Sequence, residues 1–242
     1  MKESPRFGRA AVAAPHHLAS EAGRAVLAQG GNAIEAMVAM GAAIAVVYPH
    51  MTGIGGDGFW LIREPSGKMR ALDASGYAGS GATIKAYHDL GLGVIPVRGA
   101  HAALTVPGAV GGWRAALELS RSLGGKLPVA DILHAAIGYA RDGIAVSKGE
   151  GGYTMKEEEG LHKAPGFADQ FMQDGARYKA GVLRKLPALA ATLSQLAHAG
   201  LEDYYQGDIG REIAHDFGVL NGFVTREDLT RYQTHWRTPL QM

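Results

Sequence analysis

The stretch Gly53-Ile54-Gly55-Gly56-Asp57-Gly58 has the G-x-G-x-x-G spacing with which a tight turn brings backbone amides against a dinucleotide pyrophosphate. That chemistry needs a strand before the turn and a helix after it, so that the helix N-terminus faces the phosphates. Here the apolar run Ala36 to Tyr48 precedes the glycines and Phe59-Trp60-Leu61-Ile62 follows them, an order of helix, loop, strand. A phosphate would meet the negative end of the helix dipole, so nucleotide binding is not expected. Metal chemistry is the next possibility, since the chain carries 10 histidines. None falls in H-E-x-x-H or a comparable ligand spacing, and the adjacent His16 and His17 would point about 100° apart on a helix. No metal and no cofactor are expected. Ser20, Ser75, Ser80, Ser120, Ser122, Ser147 and Ser194 all lack the G-x-S-x-G elbow of a serine nucleophile. Thr234-His235 sets a hydroxyl beside an imidazole, but sequence neighbours seldom form a nucleophile and base pair, and an ordinary loop is predicted there. The residues by themselves therefore give no complete catalytic set.

The elements that would have to position such groups read as α/β. Ser20 is the expected N-cap of a helix carrying Ala25, Val26 and Leu27, stopped by Gly30-Gly31. Asn32 with Glu35 three residues later predicts a capping box opening a buried helix from Ala33 to Val47, ended by Pro49. A hairpin is expected from Phe59-Trp60-Leu61-Ile62, the turn Glu64-Pro65-Ser66-Gly67 and Met69-Arg70-Ala71-Leu72. Pro128 should precede a helix from Val129 to Arg141 with Gly143 as its stop. Pro187 should start another, with Leu189, Leu193, Leu196 and Ala197 inward and Gly200 after it. Thr225 and Asp228 bracket a short capped turn before Tyr232. Gly149 to Gly166 is expected to be an exposed loop region with the solvated run Lys156-Glu157-Glu158-Glu159.

Composition narrows the partners. A net charge of +1 over 242 residues offers no broad field for nucleic acid or an anionic membrane. With 0 cysteines there is no disulfide framework. The longest apolar run falls short of the roughly 20 residues that span a bilayer. Pro5, Arg6 and Arg9 break the apolar stretch a secretory signal needs, which points to the cytoplasm, or to the periplasm if a leader is removed. The simplest organisation is one α/β domain over residues 1–242, and self-association into a homo-oligomer is left open.

Six segments in order resemble the γ-glutamyltranspeptidase family: Gly30-Gly31-Asn32-Ala33, Gly53 to Phe59, Val106-Pro107-Gly108-Ala109-Val110, Ala140-Arg141-Asp142-Gly143, Thr225-Arg226-Glu227-Asp228-Leu229 and Trp236-Arg237-Thr238-Pro239-Leu240. The resemblance implies an N-terminal nucleophile hydrolase with an αββα sandwich, in which a precursor cuts itself ahead of a threonine. That threonine attacks an amide carbonyl with its own α-amine as base and forms an acyl-enzyme. The match is to the front of the large subunit, so the nucleophile is expected downstream of Met242, on a small-subunit chain that would be this chain's partner. The glycine loop then becomes structural, with little room for Cβ atoms. Family members acting on γ-glutamyl compounds carry an arginine shortly after the second hairpin strand, where it grips the substrate α-carboxylate. Ser75 stands at that place, and Tyr77 where some relatives have arginine instead. A hydroxyl cannot replace a guanidinium as carboxylate clamp. The expected substrate is accordingly a small acyl amide, γ-glutamyl or related such as oxamate, with Ser75, Tyr77 and Arg98 as substrate-binding residues. The other reading is a non-catalytic binding or structural domain of the same fold.

Overall fold

Asn32 sets the central helix of the computed structural model, which describes residues 8–152, 161 and 164–240. Its side-chain oxygen accepts from the amides of Ile34 at 3.0 Å and Glu35 at 3.1 Å, while Glu35 Oε2 accepts from Asn32 N at 2.7 Å. This capping box starts α2 (Ala33–Val47), as the sequence predicts. The same two side chains reach further. Glu35 Oε1 accepts from Leu127 N at 2.8 Å and Asn32 Nδ2 donates to Ser120 Oγ at 2.8 Å, so the cap also anchors the loop after another helix.

α1 (His17–Ala28) packs along α2. Its N-cap is His16, whose Nδ1 accepts from Leu18 N at 3.3 Å, and Ser20 lies inside the helix rather than capping it. The imidazole does the work expected of a hydroxyl, because the chain is already turning at His16. The His16 and His17 rings stack at 4.7 Å instead of diverging. α5 (Val129–Asp142) lies against α2 and in turn carries α6 (Pro187–Ala199), both bounded by proline and glycine as expected. Leu133, Leu193, Leu196, Val38 and Val46 are fully buried between these helices. Each such side chain contributes about 1.5–3 kcal/mol.

β1 (Gly58–Arg63) and β2 (Met69–Ala74) form the expected hairpin, with Trp60 opposite Leu72. β3 (His235–Arg237) adds antiparallel to β2, giving the order β1-β2-β3. Here the structure corrects the expected loop at Thr234-His235, since His235 opens a strand opposite Asp73. Three residues paired across more than 160 positions leave no local periodicity to read. Ile62 and Leu72 pack against Ile34, Ala115 and Ala116, the last two on α4 (Ala109–Ser122). The opposite sheet face is open, with Phe59 69% and Leu61 73% exposed. Mixed α/β architecture is thus present as one helical layer and one sheet layer. No helix among the described residues is long and apolar enough to cross a membrane.

Two further expectations are corrected. Within Gly149 to Gly166, residues 148–152 are helical and Glu150 is buried in an ion pair with Arg184, so that part is no exposed loop. The Lys156 to Glu159 run lies outside the described residues. The glycine loop was expected to be tight, yet a methyl at Gly53 or Gly55 would meet nothing within 4 Å. Tightness falls elsewhere: a methyl on Gly76 would overlap the Val106 carbonyl, and one on Gly108 the Ala74 carbonyl. Overlap with backbone has no cheap relief, so Gly76→Ala and Gly108→Ala are each expected to cost about 1–3 kcal/mol or to prevent folding. Gly55→Ala should stay within about 0.5 kcal/mol of wild type. Urea unfolding of the three variants checks this, and equal losses at all three would contradict the packing described.

Candidate functional site

Where β2 ends, the chain passes between two other segments. Val106 N donates to Tyr77 O at 3.0 Å and Gly79 N to Leu104 O at 2.7 Å on one side, and Gly81 N donates to Phe223 O at 3.1 Å on the other. The glycine loop closes a third side. Gly56 O accepts from Gly108 N at 2.7 Å and Ala109 N at 2.9 Å, and Ile54 O accepts from the Tyr204 hydroxyl at 2.9 Å. The loop's carbonyls thus hold the start of α4 and the Tyr204 hydroxyl.

Ser75 and Tyr77 sit on the exposed rim of this crossing. Ser75 N and Oγ both donate to Asp73 Oδ1, at 3.0 and 2.6 Å. With its hydrogen committed, Oγ has only lone pairs to offer a ligand. Asp73 Oδ2 accepts from Arg237 Nε and Nη2, each at 3.4 Å. The Ser75 hydroxyl, then the Ser75 amide, outweigh desolvation and, with a lesser contribution from Arg237, hold the Asp73 carboxyl below the ordinary carboxylate range. Tyr77 donates its hydroxyl to Asp228 O at 2.5 Å, and Tyr232 donates to Ser75 O at 3.2 Å.

Beneath the rim, Asp228 is the pin. It is buried, and its Oδ2 accepts from Ser80 N at 2.9 Å, Ser80 Oγ at 3.0 Å, Thr225 N at 2.9 Å and Thr225 Oγ1 at 2.8 Å. Burial would raise its pKa, but these hydrogen bonds outweigh burial and lower it. The capping box of Thr225 and Asp228, legible in the sequence, starts α8 (Arg226–Arg231), which follows α7 (Asp208–Val219). Arg98 is exposed on the loop between α3 (Ile84–Asp89) and Leu104, a loop that also exposes Val94 and Val97. The structure therefore brings Ser75 and Tyr77 to one rim and leaves Arg98 on the segment leading into it. Sequence reasoning passed over Asp73 and Arg237 as site residues. Only the β2–β3 register shows that they share a face.

A second feature lies at the free edge of β1, which among the described residues pairs with β2 alone. A groove of about 830 Å³ runs along it, lined by Ile34, Met37, Met40, Trp60 and Trp113, with Asp57 among its polar groups.

The description of the family model matching residues 19–242 is gamma-glutamyltranspeptidase. This chain belongs to that family. Its relatives include the oxamate amidohydrolase proenzyme of Klebsiella pneumoniae, 49% identical over 95% of this chain and 43% of that protein. The glutathione hydrolase-like YwrD proenzyme of Bacillus subtilis is 37% identical over the same shares. Among solved structures, γ-glutamyltranspeptidase of Helicobacter pylori superposes with a TM-score of 0.90 at 33% identity, covering 98% of this chain and 68% of that one. Cephalosporin acylase of Bacillus halodurans gives 0.84 at 27% identity, covering 100% and 47%. The fold is therefore that of the N-terminal nucleophile hydrolases. The chain spans less than half the length of the curated relatives named here.

Two outcomes follow from the site's hydrogen bonds. Asp228→Ala removes the acceptor shared by the amides and hydroxyls of Ser80 and Thr225, together with the helix cap, and should cost about 1–3 kcal/mol, read by chemical denaturation. Burial, then the Asp73 carboxylate, pushes the Tyr232 phenol from 10.0 up to about 12. The neutral phenol is favoured in the folded state, so its stability contribution is full below pH 10 and is lost as pH rises to about 12. Tyr232→Phe should flatten the stability curve across that window, and an unchanged slope would remove Tyr232 as its source.

Proposed function

We propose that this chain is the front part of the large subunit of a self-processing amidohydrolase that cleaves a small acyl amide, oxamate or a close analogue in preference to a γ-glutamyl compound. The observation that carries the substrate choice is Ser75, whose hydroxyl hydrogen is spent on Asp73 and which therefore offers an acceptor where γ-glutamyl enzymes of the family offer a guanidinium. The 49% identity to an oxamate amidohydrolase proenzyme supports the same choice. In this reading the nucleophile is a threonine made N-terminal by cleavage of the precursor, and its α-amine is the base. The acyl group lies on the rim at Ser75 and Tyr77, and Arg98 is the cation that the sequence alone suggests for a small acid. The companion segment carrying the threonine seats along the free edge of β1 and its groove, where Met37, Phe59 and Leu61 are exposed.

Expression of a precursor at the length of the relatives, followed by intact mass spectrometry, should give two chains, the second beginning with threonine. Hydrolysis of oxamate should exceed that of a γ-glutamyl anilide. Ser75→Arg in the processed enzyme should raise kcat/KM on the anilide at least tenfold, since a hydrogen bond to a charged group is worth about 1.5–3 kcal/mol. An unprocessed chain without amidase activity would favour the binding-domain reading instead. Wild type that already cleaves the anilide as well as its best substrate would remove Ser75 from the pocket.

A further inference from the structure

We infer that Arg237 is the guanidinium that takes the substrate's carboxylate in this protein, a role that rests on the acyl pocket assigned to Ser75. A small acid amide carries one negative charge, and Ser75, presenting lone pairs, cannot hold it. The arginines around the rim differ in how firmly they are engaged. Arg114 is paired with Glu202 and lies 4.0 Å from Glu118, and Arg231 turns to Glu227 at 3.4 Å. Among the described residues Arg237 makes the loose contact of 3.4 Å with Asp73, through Nε and Nη2, and its side chain is 60% exposed.

Register explains why it is there. Ala71 faces Arg237 and Asp73 faces His235 across the β2–β3 ladder, so alternate side chains place Arg237 and Asp73 on the open face of the sheet. Ser75 follows two residues after Asp73 and binds its other oxygen. One carboxylate thus joins the two groups: Oδ1 fixes Ser75 and Oδ2 steadies Arg237. Asp73 is a positioning residue, and what it positions is an acceptor beside a cation. That pair suits a small acid that also bears an N–H, the N–H to Ser75 Oγ and the carboxylate to the outer edge of the guanidinium. An exposed Arg–Asp pair is weak, because solvent screens it, so engaging a ligand at the other edge of Arg237 gives up little. A carboxylate there gains a charge-assisted, bidentate partner.

The test uses the processed enzyme and compares oxamate with its neutral ethyl ester. Arg237→Gln should raise KM for oxamate tenfold or more and leave the ester within twofold of wild type, and Arg237→Lys should recover part of the loss. Because the residue is exposed, the melting temperature should stay near that of wild type. Should Arg237→Gln misfold, Arg237→Lys, which keeps the charge but not the bidentate fork, carries the comparison. Equal losses on acid and ester, or a selective loss in Arg98→Gln and not in Arg237→Gln, overturn the assignment. Calorimetric titration with oxalate, which has a carboxylate and no scissile amide, gives a readout independent of turnover. Binding at least tenfold weaker in Arg237→Gln supports the role, and equal binding or none in wild type rejects it. Wild type that binds oxalate through Arg237 yet cleaves neither oxamate nor ester would instead overturn the substrate reading and leave the anion site standing.

Discussion

Main chain lies directly on main chain where residues 75–79 cross residues 104–108 and meet Phe223. No side chain separates these segments, and the missing Cβ atoms at Gly76 and Gly108 are what let the carbonyls of Val106 and Ala74 come so near. The amide-to-carbonyl bonds formed there fix the direction in which β2 ends. That direction puts the side chains of Ser75 and Tyr77 on the surface and turns the start of α4 toward the glycine loop. A widened crossing would disturb the rim and the core together, because Val106, Val110, Leu229 and Tyr232 belong to the same buried cluster as the residues of α1, α2, α5 and α6.

Two acidic side chains near the crossing show how burial separates structural from exchangeable polar groups. Asp228 is buried with four hydrogen bonds to one oxygen, and removing it would take from Ser80 and Thr225 the acceptor that their amides and hydroxyls share. Asp73 stands on the open face, bound closely by Ser75 and loosely by Arg237. Both carboxyls are shifted down, but the first shift reports a closed network and the second reports a contact that solvent shares. The rim therefore has a rigid floor and an adaptable edge.

How much of this could be read from sequence follows the distance over which each signal acts. Asn32 with Glu35 and Thr225 with Asp228 marked helix starts because a cap is settled within four residues. Proline and glycine bounded α5 and α6 for the same reason, and the hairpin was carried by its turn. His16 is not legible as the cap because imidazole is a rare one, whereas Ser20 is of a preferred type. The open space around Gly53 and Gly55 is not legible, since the spacing of glycines says nothing about what stands opposite them. Of the candidate site, Ser75 and Tyr77 were legible through family motifs, whereas Asp73 and Arg237 come together by strand register across 164 positions. Pairing at that range is decided by the whole fold, and no local pattern records it.

The uncovered strand β1 bears on the life of the protein before it is mature. Gly58-Phe59-Trp60-Leu61-Ile62-Arg63 is short, rich in residues that favour strands, and carries a single charge at its end. An unpaired edge of that kind recruits any similar strand, including the same one on a neighbouring molecule still leaving the ribosome. Yield in a cell then becomes a race between intramolecular closure and self-pairing, decided by synthesis rate, temperature and the supply of chaperones.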